Sequence, residues 1–290
     1  MRIVIALGGN ALLPKGAKGT ASEQRKAAKE ALGRLSSLLR GHQVALTHGN
    51  GPQVGSLLLQ QRGTSVVPRM PLDVLDAMTQ GEIGYFIQGA LGKGSAALLT
   101  RVVVDSRDQA FRNPTKPVGP FYKTRPSSAG RYVMDAGRGY RLVVPSPKAI
   151  SIVEKDAILA LLRSGFIVVC GGGGGIPVAR DGTGLEAVID KDDFSSLLAS
   201  TIKADLLVFI TSVSCVSLDF GKKTERPLGR ASVAQMGRWL REGHFAEGSM
   251  KPKVEAAIRF IRRGGKKAVI CSIEGIGSAL SGGSGTVILP

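Results

Sequence analysis

The sequence predicts an α/β fold: a three-layer α/β/α sandwich around a mostly parallel central sheet, with a small protruding flap subdomain. Three observations carry that prediction. Short β-branched runs alternate with longer helical patterns along the 290 residues, the order that builds a sheet from crossover units. Several of the runs are apolar throughout, which suits parallel strands covered on both faces. Glycine-rich turns follow three of them, at the ends where open α/β sheets gather ligands.

Strands are predicted at 3–7, 44–47, 102–105, 142–144, 166–169, 206–211, 268–272 and 286–289. Between them, residues 22–40 carry Ala28, Ala31, Leu32, Leu35, Leu38 and Leu39 at helical spacing and stop at Gly41. Ser151 and Glu154 have the spacing of a capping box for a helix ending near Gly165. A helix is predicted from about Asp192 to Lys203. Another begins near Ser249, with Pro252 tolerated in its first turn. The segment 109–141 is rich in Pro, Gly, Arg and Lys and poor in apolar periodicity, and reads as a flap within one domain spanning 1–290.

Composition bounds the function classes. Apolar residues make up 43% and charged residues 21%, enough for a substantial core and unlike a disordered tract. No run reaches the length of a membrane helix. The apolar stretch 3–7 is broken by Gly8-Gly9-Asn10 before a secretory segment is complete, so the expectation is a cytoplasmic protein away from membranes. Cys170, Cys215 and Cys271 show no metal or disulfide spacing and read as buried free thiols. The net charge of +17 attracts anions. The basic residues are scattered and only four Tyr and one Trp are available for stacking, which argues against nucleic acid as the partner and for small polyanions. The densest basic run, 259–267, reads as a helix end.

The candidate chemistry is phosphoryl transfer, which needs donors and cations around the phosphoryl oxygens rather than a covalent catalyst. Gly8, Gly9 and Asn10 follow the first strand; Gly49, Asn50 and Gly51 follow the second and open a helix. Gly172 and Gly173 sit within five consecutive glycines, 171–175. Such turns are common for steric reasons alone; three of them at strand ends point to an anion site. Asp192 reads either as a helix cap or as a site residue. Lys251 and Lys253 stand at a helix start, where cations oppose the dipole unless an anion is present. Lys116 lies between two prolines in the flap, where an exposed lysine is ordinarily a solvated surface group. There is no P-loop motif, and Asp219-Phe220-Gly221 lacks the companion signatures of a protein kinase. His48 reads as shaping its turn, and His42 and His244 as surface positions.

These segments together resemble the carbamate kinases of the amino-acid-kinase superfamily. The matching stretches are ALGGNALL near the start, THGNGPQVG at 47–55, MTQGEIGY at 78–85 and NPTKPVGPF at 113–121. They continue with DAGRGYRLVVPSP at 135–147, CGGGGGIPV at 170–178, EAVIDKD at 186–192 and HFAEGSMKPKVEAAI at 244–258. The resemblance implies reversible transfer between ATP and carbamate, giving ADP and carbamoyl phosphate, with Mg2+ carried by the nucleotide. It implies that Lys116 reaches the transferred phosphoryl group and that Asp192 organises Lys191 and Lys253. The glycine turns would surround carbamate and phosphoryl, and Lys191, Asp192, Thr211, Met250 and Lys253 would face the nucleotide. It also implies a homodimer. Leu7 precedes the first Gly-Gly, as is usual for that branch, and Ser214 stands where relatives carry an aspartate. Two alternatives stay open on the residues: a kinase for another small carboxylate, and a nucleotide-binding regulator without turnover.

Overall fold

The computed structural model describes residues 1–14, 16–63, 66–127, 130–135 and 139–290. In chain order the first half comprises β1 (Arg2–Leu7), α1 (Gly9–Leu12), α2 (Ala21–Arg34), α3 (Ser36–Leu39), β2 (Gln43–His48), α4 (Gly51–Arg62), α5 (Leu72–Leu91), β3 (Ser95–Leu98), β4 (Arg101–Val103), β5 (Lys116–Tyr122), β6 (Arg131–Met134) and β7 (Tyr140–Val144). There follow β8 (Ser151–Ile152), α6 (Lys155–Arg163), β9 (Ile167–Cys170), β10 (Ile176–Val178), α7 (Lys191–Thr201), β11 (Leu206–Thr211), β12 (Val216–Leu218), β13 (Arg226–Leu228), β14 (Arg230–Ser232), α8 (Val233–Arg241), α9 (Met250–Arg262), β15 (Lys267–Ser272), α10 (Ile276–Ala279) and β16 (Thr286–Leu289).

Eight strands form the main sheet in the order β14-β16-β15-β11-β1-β2-β9-β3. Every neighbouring pair is parallel except β15 with β16. Side chains on a strand alternate between faces, so an all-apolar strand needs a cover on each side. β1 shows this directly. Val4 and Ala6 join one core with Ile158, Phe194, Met236 and Phe260, contributed by α6, α7, α8 and α9. Ile3, Ile5 and Leu7 join the other, with Leu32, Leu38, Ile83 and Ile276 from α2, α3, α5 and α10. Each fully buried large apolar side chain adds roughly 2 kcal/mol of transfer free energy. The three-layer sandwich follows from the pattern.

Four local expectations need correction. The helix predicted over 22–40 is two helices, α2 and α3, separated at Leu35; Thr20 and Glu23 form the capping box that starts the first. Ser151 and Glu154 form no box: Ser151 lies in β8, and the Glu154 carboxylate instead accepts from Arg101 N and Arg101 Nε, both at 2.7 Å. The strands predicted at 102–105 and 142–144 exist but lie outside the main sheet. β4 pairs with β10 and β8, and β7 lies between β5 and β6. Asp190, not Asp192, caps α7, accepting from Asp192 N at 2.9 Å and Asp193 N at 3.2 Å.

The proline-rich segment therefore builds a three-stranded antiparallel sheet, β5-β7-β6. It is seated on α4, where a Cβ added to Gly55 would stand 2.5 Å from the Gly119 Cα. Two glycines let the backbones meet, and Val118 and Val144 pack with Val54, Leu72 and Val188 beside them. Arg141 ties the sheet together, donating to the Gly119 carbonyl at 2.9 Å and to Asp135 at 3.0 Å. The docking matters because Lys116 is the first residue of β5. Residues 136–138 of the DAGRG stretch lie outside the described residues.

Candidate active site

Three glycine turns meet at the C-terminal ends of β1, β2 and β9. The turn after β1 lies hard against β11: Gly8 N donates to the Ile210 carbonyl at 3.1 Å, and a Cβ on Gly8 would come 2.7 Å from that oxygen. The turn after β2 begins beside it, with Gly49 N donating to the Leu7 carbonyl. A Cβ on Gly49 would stand 3.5 Å from Gly9 N and 3.9 Å from the Lys191 Cδ, so these turns and the lysine share one space. The third turn needs glycine for two reasons. Gly171 and Gly173 have φ of 61° and 67°, which side chains adopt at a cost. Added Cβ atoms would also drive Gly172 into the His48 ring, at 2.3 Å, and Gly173 into the Asn50 amide, at 2.2 Å.

Onto this floor two helices and the flap bring charge. Asp192, in the first turn of α7, is buried. Its Oδ1 accepts from Lys191 Nζ at 2.5 Å and its Oδ2 from Lys253 Nζ, on α9, at 3.0 Å. Lys253 also donates to the Ser249 carbonyl at 3.2 Å. Asp190, the cap of α7, accepts from Lys116 Nζ of the flap at 2.6 Å. Three lysines from three separate parts of the chain thus converge on two carboxylates two residues apart. Burial pushes the Asp192 carboxyl up, but the ammonium groups of Lys191 and Lys253 outweigh it and bring it down to about 2. Burial lowers the Lys191 ammonium from its ordinary value, opposed by Asp192. Asp190 is held below the usual carboxylate range because the Lys116 charge overcomes its burial.

A polar layer lies beneath the glycine floor. His48 is buried, its Nδ1 3.1 Å from the Gly49 carbonyl. Burial lowers it to about 4 against the pull of that carbonyl, with the Lys191 charge adding to the burial; it is neutral at pH 7. Gln80 donates to the Gly172 carbonyl at 3.0 Å and exchanges hydrogen bonds with the Thr100 backbone. Asn50 donates through Nδ2 to Asp76 Oδ1 and to Thr79 Oγ1, each at 3.0 Å. Asp76, Thr79 and Gln80 fall on the buried face of α5.

The predicted residues do not all converge equally. Lys116, Lys191, Asp192 and Lys253 are brought together with Gly8, Gly9, Gly49, Asn50, Gly51, Gly172 and Gly173 at one end of the sheet. Asn10 is in α1 beside them, though its side chain lies outside the described residues. Thr211 ends β11 next to the Gly8 turn. Met250 opens α9 and packs partly against the core. No hydrogen bond among the described residues ties either one to the lysine cluster. Ser214 is exposed just past β11. Of the cysteines, Cys170 and Cys271 are buried, their thiols pushed by burial up to about 12, while Cys215 is only half-buried. Sequence reasoning missed Asp190 as a lysine partner, and Asp76, Thr79 and Gln80 as the layer under the turns. A signal existed for the last three, since they share a helical face with Leu72, Leu75, Ile83 and Ile87.

A concavity of about 860 Å3 opens at the opposite end of the sheet, lined by Arg2, His42, Lys93, Arg163 and Lys203. It contains none of the glycine turns or paired lysines. The turns and the paired lysines lie instead beyond the carboxyl ends of the strands, where ligands of open parallel sheets bind.

Comparison with known proteins gives the family. The model of the amino acid kinase family matches residues 1–272. The carbamate kinase of Trichomonas vaginalis is 45% identical, with 100% of both chains covered. That of Thermococcus kodakarensis is 44% identical over 99% of each. The structure of a carbamate kinase from Giardia lamblia bound to AMP-PNP superposes with a TM-score of 0.91 at 41% identity, covering 99% of this chain and 98% of that one. An N-acetylglutamate synthase from Neisseria gonorrhoeae, at 18% identity and a TM-score of 0.57, shares the fold alone. With its glycine turns, its lysine-flanked Asp192 and these full-length matches, the chain belongs to the amino acid kinase family, on its carbamate kinase branch.

Proposed function

We infer that this chain moves a phosphoryl group reversibly between ATP and carbamate, giving ADP and carbamoyl phosphate. The observation that carries the reading is the single buried carboxylate of Asp192 gripping Lys191 and Lys253, with Lys116 held on neighbouring Asp190. In the forward direction a carbamate oxygen attacks the γ-phosphorus. The new O–P bond forms as the bond to the β,γ-bridging oxygen breaks, and ADP leaves with that electron pair. Carbamate arrives as an anion, so no side chain has to remove a proton, and a neutral His48 has no such duty.

The protein's task is then positioning and charge. Lys116 reaches the migrating phosphoryl group from the flap, and Lys253 neutralises the nucleotide phosphates. Asp192 fixes the two ammonium groups so that they need not reorganise as charge develops. The backbone N–H groups of Gly9, Asn10, Gly51 and Gly173 suit a small anion that leaves no room for side chains. Thr211 and Met250 lie on the nucleotide side. The AMP-PNP bound to the Giardia lamblia enzyme supports ATP and ADP as the nucleotides. Mg2+ enters as part of the nucleotide substrate, since Asp190 and Asp192 are each engaged by lysines.

No helix among the described residues is long and apolar enough to cross a membrane. We assign the working form as a cytoplasmic homodimer, as membership of the family implies. The test is to mix the purified protein with ADP, magnesium and carbamoyl phosphate. ATP should appear in proportion to carbamoyl phosphate consumed; nucleotide binding without ATP formation would overturn the reading in favour of a regulator.

A further inference from the structure

Asp76 is 1% exposed, and its Oδ2 has no hydrogen-bond partner among the described residues. A buried orphan oxygen is costly, so its place under the site calls for a reason. Its other oxygen, Oδ1, accepts from Asn50 Nδ2 at 3.0 Å. Thr79 Oγ1 accepts the second Nδ2 hydrogen at 3.0 Å, and gives its own proton to the Asp76 backbone carbonyl at 2.9 Å. Since the Thr79 hydroxyl has one proton and spends it there, it can only accept from Asn50. Both donors of the amide therefore point at α5, and the flip of the Asn50 side chain is fixed.

Asn50 also declines its ordinary role. It is the N-cap of α4 yet caps no backbone N–H, although asparagine is among the best capping residues. Its carbonyl oxygen is left without a donor from the described residues, in a side chain pressed against Gly173 and one residue from the Gly49 turn. Carbamate and carbamoyl phosphate carry an amino group that donates; acetate, formate and bicarbonate do not carry one.

Building on the functional reading above, we propose that Asp76 and Thr79 are positioning residues for acceptor selectivity: they hold the Asn50 amide with its carbonyl oxygen towards the substrate amino group. The fixed flip makes Asn50 an acceptor only, so a methyl in place of the amino group leaves that oxygen unpaired. Burial, with the charge of nearby Asp73 adding to it, raises Asp76 well above the usual carboxylate range against the Asn50 hydrogen bond. That direction fits the lack of a cation beside Asp76 among the described residues.

The experiment measures ATP formation from MgADP with carbamoyl phosphate and with acetyl phosphate, its amino-lacking isostere. The wild type comes first: no ATP from carbamoyl phosphate would overturn the functional reading itself. Given wild-type turnover, Asp76→Val should raise the KM for carbamoyl phosphate by about tenfold or more. It should erode the preference over acetyl phosphate by a similar factor and leave the KM for ADP unchanged. Asp76→Asn, which keeps an acceptor oxygen for Nδ2, should restore most of that preference. Thr79→Val, which removes a single acceptor, should move selectivity the same way and serves if Asp76→Val does not fold. Folded variants with unchanged carbamoyl phosphate KM and preference would overturn the proposal, as would equal losses for ADP.

Discussion

Asp192 is a buried carboxylate flanked by two ammonium groups, and Asp76 is the reverse case, a buried carboxyl with no cation beside it among the described residues. The two respond to pH with opposite sign. The folded value of Asp192, about 2, lies below the ordinary one. It therefore adds stability that is complete above about pH 4 and is lost as pH falls towards 2. The folded value of Asp76 lies above the ordinary one. The native state then holds a proton that the unfolded chain has released, so stability is lost as pH rises from about 4 towards that folded value. Asp76→Asn cannot ionise. Thermal melts of both proteins at pH 4 and pH 8 should show the balance shifting in favour of the variant at the higher pH; a pH-independent difference would mean that Asp76 is not buried as described. At this scale the sequence was partly legible. Lys253 stood out because a lysine at a helix start opposes the dipole, whereas Lys116 and Asp192 were singled out by the family resemblance. Asp76 did not, because an aspartate within PLDVLDAM looks like a solvated position until its face of α5 is known to be buried.

Elements decide whether the lysines can meet. Lys253 and Lys191 ride on the first turns of α9 and α7, whose docking is set by buried faces carrying Val254, Phe260, Phe194 and Leu198. Lys116 rides on the flap, whose seat on α4 is the Gly55–Gly119 contact. Gly55→Ala removes no site side chain, yet its methyl would meet backbone and push β5 away. A displacement of about 1 Å in a positioning group can cost roughly a hundredfold, so kcat should fall at least several-fold with the circular dichroism spectrum retained. Unchanged kcat would mean that the flap adjusts freely. The flap was visible in the sequence by its composition, but its sheet was not. Prolines and glycines in NPTKPVGPF hide the strand pattern, and β7, read as a main-sheet strand, is apolar because it packs on α4 and α5. The Ser151–Glu154 spacing misled for a related reason: tertiary pairing with Arg101 takes the carboxylate that a local box would use.

The whole molecule adds a field to the site. A net charge of +17, from 39 basic and 22 acidic residues, raises the local concentration of polyanions and steers them inward. The kcat/KM for ADP should fall several-fold between about 0.02 and about 0.5 M salt as screening shortens the reach of that field; a flat profile would assign the charge to something other than substrate capture. The sandwich itself was legible, because strands such as β1 and β11 are apolar on both faces and admit no other packing. What the pattern could not provide was the convergence of distant segments, since residues 116, 190–192 and 253 meet only through the strand order. The direct test of that convergence is to follow carbamoyl phosphate and MgADP by phosphorus NMR with the wild type and Asp192→Asn. The wild type should build the ATP γ-phosphoryl signal as carbamoyl phosphate disappears, and the variant should do so about a hundredfold more slowly while remaining folded. A folded Asp192→Asn that transfers at the wild-type rate would contradict the account.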